Sequence, residues 1–292
     1  MKPLQGKVAV VAGATRGAGR GIAMMLGEAG ATVYVTGRST KGNLSSMGRT
    51  ETIEETAELV TKQGGRGIAV RVDHTVEADI KALFNRVQEE QNGKLDILVN
   101  DVWGGDPLTE WEKSFWEHDL HNGLLMQQRA VHSHMMTSYY GVPLMVKKKK
   151  GLVIEITDGV DYQYRGNLYY SLAKISTIHL AEAMAKDLEE HHITAVAVSP
   201  GFLRSEAMLD LFGVTEENWQ EGAKKDPHFI ASETPVFIGR AIAALASDSN
   251  VHNKTGKALS SWGLAREYGF KDIDGRQPDW GKYFEENVLK GQ

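Results

Sequence analysis

An α/β fold built on one open sheet is the class that the sequence predicts, and two observations predict it. A short apolar run, Lys7 to Ala12, leads directly into the glycine turn Gly13-Ala14-Thr15-Arg16-Gly17-Ala18-Gly19 and then into a stretch of helical periodicity. Strand-like and helix-like segments then keep alternating along the chain, with no linker composition to interrupt them. The 292 residues therefore read as a single domain spanning 1–292, with an insertion over about 202–232 and a C-terminal extension over about 264–292.

In chain order, the first strand is Lys7–Ala12 and the helix after the turn runs through Gly21–Ala29. Glycine lets a backbone approach a phosphate closely, and a helix start offers unpaired N–H groups and the positive end of a dipole. A second strand, Ala31–Thr36, precedes Gly37 and Arg38. The polar stretch 39–50 is long for a strand-to-helix connection and reads either as a flap over a bound nucleotide or as a passive loop. Strands Gly67–Val72, Leu95–Val99 and Leu152–Ile156 end in Asp73-His74, in Asn100-Asp101-Val102-Trp103-Gly104-Gly105 and in Thr157-Asp158-Gly159. Trp103 reads either as packing against a neighbouring loop or as a wall of a substrate pocket. Lys147 to Lys150 sit in a short turn before a strand and read as a solvated face. Thr234-Pro235 reads as a capped helix start leading into Val236–Leu245. Met208, Leu211, Phe212 and Trp219 read as short helices closing over a pocket or as core, and Trp280, Tyr283 and Phe284 make the C-terminal extension too aromatic to be a free tail.

Tyr170 and Lys174 are four residues apart, which puts both on one face of a helix. A lysine cation roughly 5 Å from a phenol, at an effective dielectric of about 20, favours the phenolate by about 3 kcal/mol, or about two pKa units. That brings a tyrosine proton into working range for acid–base chemistry. Together with the glycine turn, the pair makes sense if a nicotinamide cofactor lies across the sheet and the tyrosine exchanges a proton with an alcohol or ketone.

Gly13-x3-Gly17-x-Gly19, Leu98-Val99-Asn100, Tyr170-x3-Lys174 and Ser199-Pro200-Gly201, in that order, resemble the motifs of the short-chain dehydrogenase/reductase family over about residues 5 to 260. The chain looks closest to a bacterial group of unassigned substrate, related to a human dehydrogenase/reductase of equally open specificity. The resemblance implies a doubly wound Rossmann-type parallel sheet, a nicotinamide cofactor and a catalytic set of Asn, Ser, Tyr and Lys. On this chain it implies Tyr170 as proton donor or acceptor and Lys174 as its electrostatic partner that also holds the nicotinamide ribose. Gly13, Thr15, Arg16, Gly17, Ala18, Gly19, Asn100, Pro200 and Gly201 become cofactor-binding candidates, with Asp73 and His74 at the adenine. A homo-oligomer, dimer or tetramer, is expected on the same ground.

The chain departs from the family at the catalytic serine, where Asp158 stands with Thr157 before it. An ionised aspartate cannot donate a hydrogen bond and opposes negative charge on a substrate oxygen. The donor is therefore expected to be Thr157, which needs no pKa shift, or else a protonated Asp158. The family's helix asparagine also fails to align: Leu120 takes its place when Gly123 is matched, and Asn122 is a nearby candidate. Cofactor choice follows from Arg38 after the second strand and Arg16 in the glycine turn. With no acidic residue there for a ribose 2′-hydroxyl, two guanidiniums favour the 2′-phosphate of NADP.

The formal charge of −5 gives no basic field for nucleic acid, the 41% apolar content suffices for a sizeable core, and no membrane-length apolar run is present. No cysteine occurs, so disulfide and thiolate chemistry are excluded and the chain fits a reducing cytoplasm. The ten histidines show no metal-ligand spacing, and no metal is expected. The expected activity is an NADP-dependent interconversion of alcohol and carbonyl on a small molecule. The rival readings are a dinucleotide-binding sensor or structural subunit with little turnover, and a lyase or epimerase using the same tyrosine.

Overall fold

Seven strands form one parallel sheet in the order β3-β2-β1-β4-β5-β6-β7. They are β1 Val8–Ala12, β2 Thr32–Gly37, β3 Arg66–Arg71, β4 Ile97–Asn100, β5 Gly151–Ile156, β6 Ile193–Ser199 and β7 Ala258–Ser260. The computed structural model describes residues 2–44 and 48–289, so the middle of the 39–50 stretch and the last three residues of the C-terminal extension lie outside the described residues. The sheet is doubly wound, as the sequence predicts. From β1 the chain runs outward through β2 and β3, then crosses back to β4 on the other side, leaving a crevice at the carboxyl ends of β1 and β4 where α/β sheets bind ligands.

Strands β1 and β6 are buried along their whole length, which is why they read as continuous Val/Ala runs rather than as alternating ones. Helices cover both faces. On one face α1 (Gly17–Glu28), α2 (Ile53–Lys62), α8 (Pro235–Ser247) and α9 (Ser261–Tyr268) bury Ile22, Leu26, Val60, Ile238, Ile242 and Leu264. On the other, α3 (Glu77–Glu90), α5 (Ser133–Val146) and α6 (Leu168–Asp187) bury Ile80, Leu83, Phe84, Val87, Leu144 and Ala185. Helices α1 and α8 meet backbone to backbone: a Cβ on Gly21 would stand 1.9 Å from the Pro235 carbonyl oxygen, and one on Gly239 2.3 Å from that of Gly21. The start of α8 is as predicted, with the Thr234 side chain accepting from the Val236 N–H and Pro235 in the first turn. Among the described residues no helix is long and apolar enough to cross a membrane.

The remaining helices are α4 (Leu120–Gln127), α7 (Glu206–Phe212) and α10 (Trp280–Asn287). Of the two readings of Met208, Leu211, Phe212 and Trp219, closing over a pocket or packing in the core, packing holds for Phe212 and Trp219. Trp219 is buried between the guanidinium carbons of Arg204 and Arg276, 4.0 and 4.4 Å from its ring. Phe212 packs edge-on against Phe229 at 4.6 Å, and Leu211 is 64% exposed. The residues of this segment that reach the cavity described below are Leu203, Ser205 and Ala207. The C-terminal extension closes on the same segment, with Trp280 5.6 Å from Phe202 and stacked on Tyr283 at 5.8 Å.

Candidate active site

A cavity of about 550 Å³ opens at the carboxyl ends of the strands. Its wall includes Gly13, Thr15, Arg16, Gly17 and Ala18 of the glycine turn, Arg38 after β2, Asp73 and His74 after β3, Thr157 after β5, Lys174 of α6 and Pro200. The turn is tight because its glycines make it so. Gly13 has φ +86° and Gly17 φ +57°, and a Cβ on Gly13 would stand 2.4 Å from the Asp101 carbonyl oxygen.

The turn leads into α1, whose first N–H, on Gly17, donates to Glu206 Oε2 at 2.8 Å. A carboxylate seated on a helix N-terminus marks the place where an anion is favoured, so the turn fits a pyrophosphate for which Glu206 stands in. Exchanging the charge for an amide, Glu206→Gln, is expected to tighten dinucleotide binding severalfold, about 1 kcal/mol, in a fluorescence titration. Unchanged affinity would mean that the acid yields without cost.

Three cofactor candidates, Gly19, Asn100 and Gly201, are not on the cavity wall, and a fourth, His74, reaches it with its ring nitrogens already bonded. Gly19 lies beneath the turn, where a Cβ would meet the Gly13 carbonyl oxygen at 2.4 Å. The Asn100 side chain is buried away from the cavity and donates to Ser138 Oγ at 2.9 Å and Glu155 Oε1 at 2.7 Å. Glu155 is itself fully buried, and its Oε2 lies 2.6 Å from His134 Nδ1, so this end of the sheet rests on a paired polar cluster. Gly201 is enclosed by Trp280 and donates its N–H to Glu233 Oε2, a carboxyl that burial pushes up to about 8. His74 borders the cavity, but both ring nitrogens are spent, on Thr36 Oγ1 and Thr137 Oγ1 at 2.8 Å each. Burial lowers its pKa to about 3, so it is neutral.

Arg16 and Arg38 face the same cavity, Arg16 3.8 Å from Glu51 and Arg38 3.9 Å from Asp73. Arg38 is the more open of the two, with 43% of its side chain exposed.

Tyr170 and Lys174 share the face of α6 that the spacing predicts. Asn167 caps this helix by accepting the Tyr170 N–H at 3.0 Å, which fixes the tyrosine in the first turn. The expected effect of the lysine on the phenol does not prevail. The Lys174 ammonium lies 3.9 Å above the Trp103 ring and 5.5 Å from that of Tyr170. The Tyr170 hydroxyl donates instead to Asp158 Oδ2 at 2.9 Å. Burial first, then the charge of Asp158 and its hydrogen bond, push the phenol well above its ordinary value. Burial lowers the Lys174 pKa, against the charges of Asp158, Asp106 and Asp101.

The preference for Thr157 as the hydrogen-bond donor to substrate runs against the geometry. Thr157 is buried and donates its hydroxyl to the Lys174 carbonyl at 2.7 Å, so Asp158 is the residue of this pair that meets Tyr170. Trp103 and Lys174 line the cavity, whereas Asp158 and Tyr170 do not. The Trp103 ring packs edge-on against Tyr170 at 5.5 Å, and its indole N–H donates to Asp106 Oδ1 at 2.6 Å. Trp103 thus lines the cavity and also packs on its own loop, through Asp106 and Gly105, so both readings of it have a counterpart in the geometry. Leu120, at the family's asparagine position, is 61% exposed, and the described contact of Asn122 is its backbone N–H on Asp119 Oδ1, which caps α4.

Three residues of the site were not singled out by the sequence reading. Glu206 is one. Asp101, on the cavity wall, is pushed up to about 7 by burial, against the pull of Lys174, His134 and the Gly19 N–H, so it titrates near neutrality. Arg129 enters the cavity from a π-helical turn at 128–132 and donates to the Gly104 carbonyl at 2.8 Å, bracing the Trp103 loop.

Comparison with known proteins agrees with this architecture. A short chain dehydrogenase family profile matches residues 7–212. Dehydrogenase/reductase SDR family member 1 of Mus musculus is 38% identical over 278 residues, covering 94% of this chain and 85% of the mouse protein. The 7alpha-hydroxysteroid dehydrogenase of Escherichia coli K12 is 30% identical over 225 residues, 77% of this chain and 81% of that enzyme. Among solved structures, a short chain dehydrogenase from Mycobacterium thermoresistibile superposes with a TM-score of 0.79 at 20% identity, covering 95% of this chain and 92% of its own, a likeness of fold. Sheet order, glycine turn and Tyr170-Lys174 helix together with these matches make the chain a member of the short-chain dehydrogenase/reductase family.

Proposed function

We propose that the protein is an NADPH-dependent reductase that interconverts a carbonyl and an alcohol on a small molecule, with Tyr170 giving the proton and Lys174 holding the nicotinamide ribose. The observation that carries the reading is the meeting, at one cavity, of the glycine turn with Lys174, which stands one helical turn from Tyr170 on α6. When bound, the dihydronicotinamide supplies a hydride to the carbonyl carbon. The chain supplies the rest. Tyr170 is protonated, and a substrate oxygen that replaces Asp158 as acceptor of the Tyr170 hydroxyl receives the proton as negative charge develops. The Lys174 cation lies close enough to offset that charge. The Trp103 ring touches both Tyr170 and the Lys174 ammonium and borders the space where the carbonyl carbon is held.

Arg16 and Arg38 on the cavity wall, with no acid ending β2, support NADP over NAD. Charge-assisted hydrogen bonds to a 2′-phosphate are worth about 1.5–3 kcal/mol each, so at least a tenfold preference for NADPH over NADH is expected, and Arg38→Ala should erase much of it. Titration of both cofactors by fluorescence checks this, and equal affinities would overturn the assignment. The exposed Leu120 and Leu124 of α4 and Leu168 and Leu172 of α6 support a homo-oligomer. Turnover of any member of a carbonyl and alcohol panel with NADPH or NADP separates this reading from a non-catalytic dinucleotide-binding protein.

A further inference from the structure

The residue that departs furthest from the family pattern occupies the most sensitive position in the site. Asp158 Oδ2 is the hydrogen-bond acceptor of the Tyr170 hydroxyl at 2.9 Å, so whatever atom Tyr170 protonates must approach this carboxylate. A carboxylate offers a carbonyl oxygen no donor and raises the cost of negative charge on it. A second carboxylate, Asp106, is near enough for its charge to act on both Tyr170 and Lys174, and it holds the indole N–H of Trp103 at 2.6 Å. Asp101 adds a third acidic group whose charge reaches Lys174.

Two cations oppose them. Arg165 gives Nε to the Asp158 carbonyl and its terminal nitrogens to the carbonyls of Gln163 and Asp161, at 2.6 Å each, and its remaining ion pair is with Asp161 at 3.5 Å. Its donors are therefore spent on its own loop, while its positive charge still acts on Tyr170 and Lys174. Lys174 is the other, and its ammonium rests on the Trp103 ring at 3.9 Å. That contact shows that the ring face accepts a positively charged nitrogen. A second aromatic face, Trp111, lies 5.0 Å from the Tyr170 ring and is 55% exposed. Carboxylates beside aromatic faces make a receptor for a substituted ammonium, and a cation next to the reacting carbon turns the cost of Asp158 into an attraction.

We infer that the substrate of this site is a carbonyl compound carrying a positively charged nitrogen two or three bonds from the carbonyl carbon, its charge held by Asp158 and Asp106 beside the Trp103 and Trp111 rings. The inference rests on the reductase reading above and narrows it to amino ketones and the amino alcohols they form. The chemistry balances: the dihydronicotinamide is oxidised as its hydride forms the new C–H bond, the carbonyl π pair moves to oxygen, and oxygen takes the Tyr170 proton. The ammonium keeps its own protons throughout.

The test compares two ketones that differ only in the charged group, the ammonium form of 2-amino-1-phenylethanone and propiophenone, with NADPH at neutral pH. The wild-type protein is expected to favour the ammonium ketone in kcat/KM by on the order of a hundredfold, mostly through KM, since close charge pairs in a desolvated site couple strongly. Asp158→Asn and Asp106→Asn should each lower that ratio, and the double variant should bring it near unity. NADPH titration of each variant verifies that it is folded, and calorimetric affinities for the two ketones in the NADP complex should follow the same order without turnover. Equal or better use of propiophenone by the wild type, or a ratio untouched by both substitutions, would overturn the inference and leave the reductase reading standing. Reduction of neither ketone also overturns it, and the reductase reading then falls only if the wider carbonyl and alcohol panel fails too.

Discussion

Tyr170→Phe is expected to cut carbonyl reduction by on the order of a hundred- to ten-thousandfold, the range for losing a positioned general acid, while the affinity for NADPH stays nearly intact. The substitution removes one hydroxyl and keeps a ring that packs between Trp103 and Trp111, so the local structure is preserved. In the proposed reaction the phenol acts on the substrate oxygen and not on the dinucleotide, which is why the loss is expected in kcat. The pH profile follows from the sign of the shift. Burial and Asp158 hold the phenol well above its ordinary value, so it remains protonated through neutral and mildly alkaline pH. Reduction needs the protonated form, and no fall in rate attributable to Tyr170 is expected up to about pH 9. Steady-state rates and cofactor titrations of the variant check both parts. Near-normal turnover would make the Tyr170-Lys174 pair a structural feature of α6.

The second large effect is on stability. Arg204→Ala is expected to cost about 3 kcal/mol in urea unfolding, within the lower part of the range for breaking a buried ion pair. The guanidinium is fully buried against the Trp219 ring at 4.0 Å, with Glu216 at 2.6 Å, Asp274 at 3.4 Å and the Ser232 carbonyl at 3.3 Å. Glu216 is 39% exposed and returns to water when the arginine is lost, which keeps the penalty from the upper end. Truncation also leaves a space beside Trp219. Because Leu203 and Ser205 flank Arg204 and line the cavity, weaker cofactor binding should accompany the lower stability. A variant as stable as the wild type would mean that the 202–232 segment is not tied to the C-terminal extension through this side chain.

The fold and the frame of the site were legible because their signals are local. Gly13 and Gly17 announce a turn that demands positive φ, the buried strands are continuous apolar runs, and Tyr170 and Lys174 carry their common face in their spacing. What escaped depends on contacts between distant segments. Glu206 reaches the Gly17 N–H across 189 residues, and no local pattern marks it. Arg129 enters the cavity because the helix widens into a π turn. Asn100 belongs to a motif whose backbone position was correct, yet its side chain faces a partner set, Ser138 and Glu155, that only the packed sheet supplies. The sign of the Tyr170 shift is hidden from sequence for a similar reason. The Tyr170-Lys174 spacing shows only the lysine, whereas burial and Asp158, 12 residues earlier and acceptor of the phenol hydrogen bond, act the other way. The Thr157 hydroxyl that the sequence offers as a donor is given to the backbone of α6.

The central claim is that a hydride passes from NADPH to a carbonyl carbon held beside Tyr170. The most direct measurement uses NADPH carrying deuterium on the transferable face of its C4, a ketone that the protein turns over, and mass spectrometry of the product alcohol. One deuterium on the carbinol carbon in the wild type, and its loss in proportion to rate in the Tyr170→Phe variant, is the predicted result. Product without deuterium from either C4 face, or label transferred as fast by the variant as by the wild type, would contradict the account.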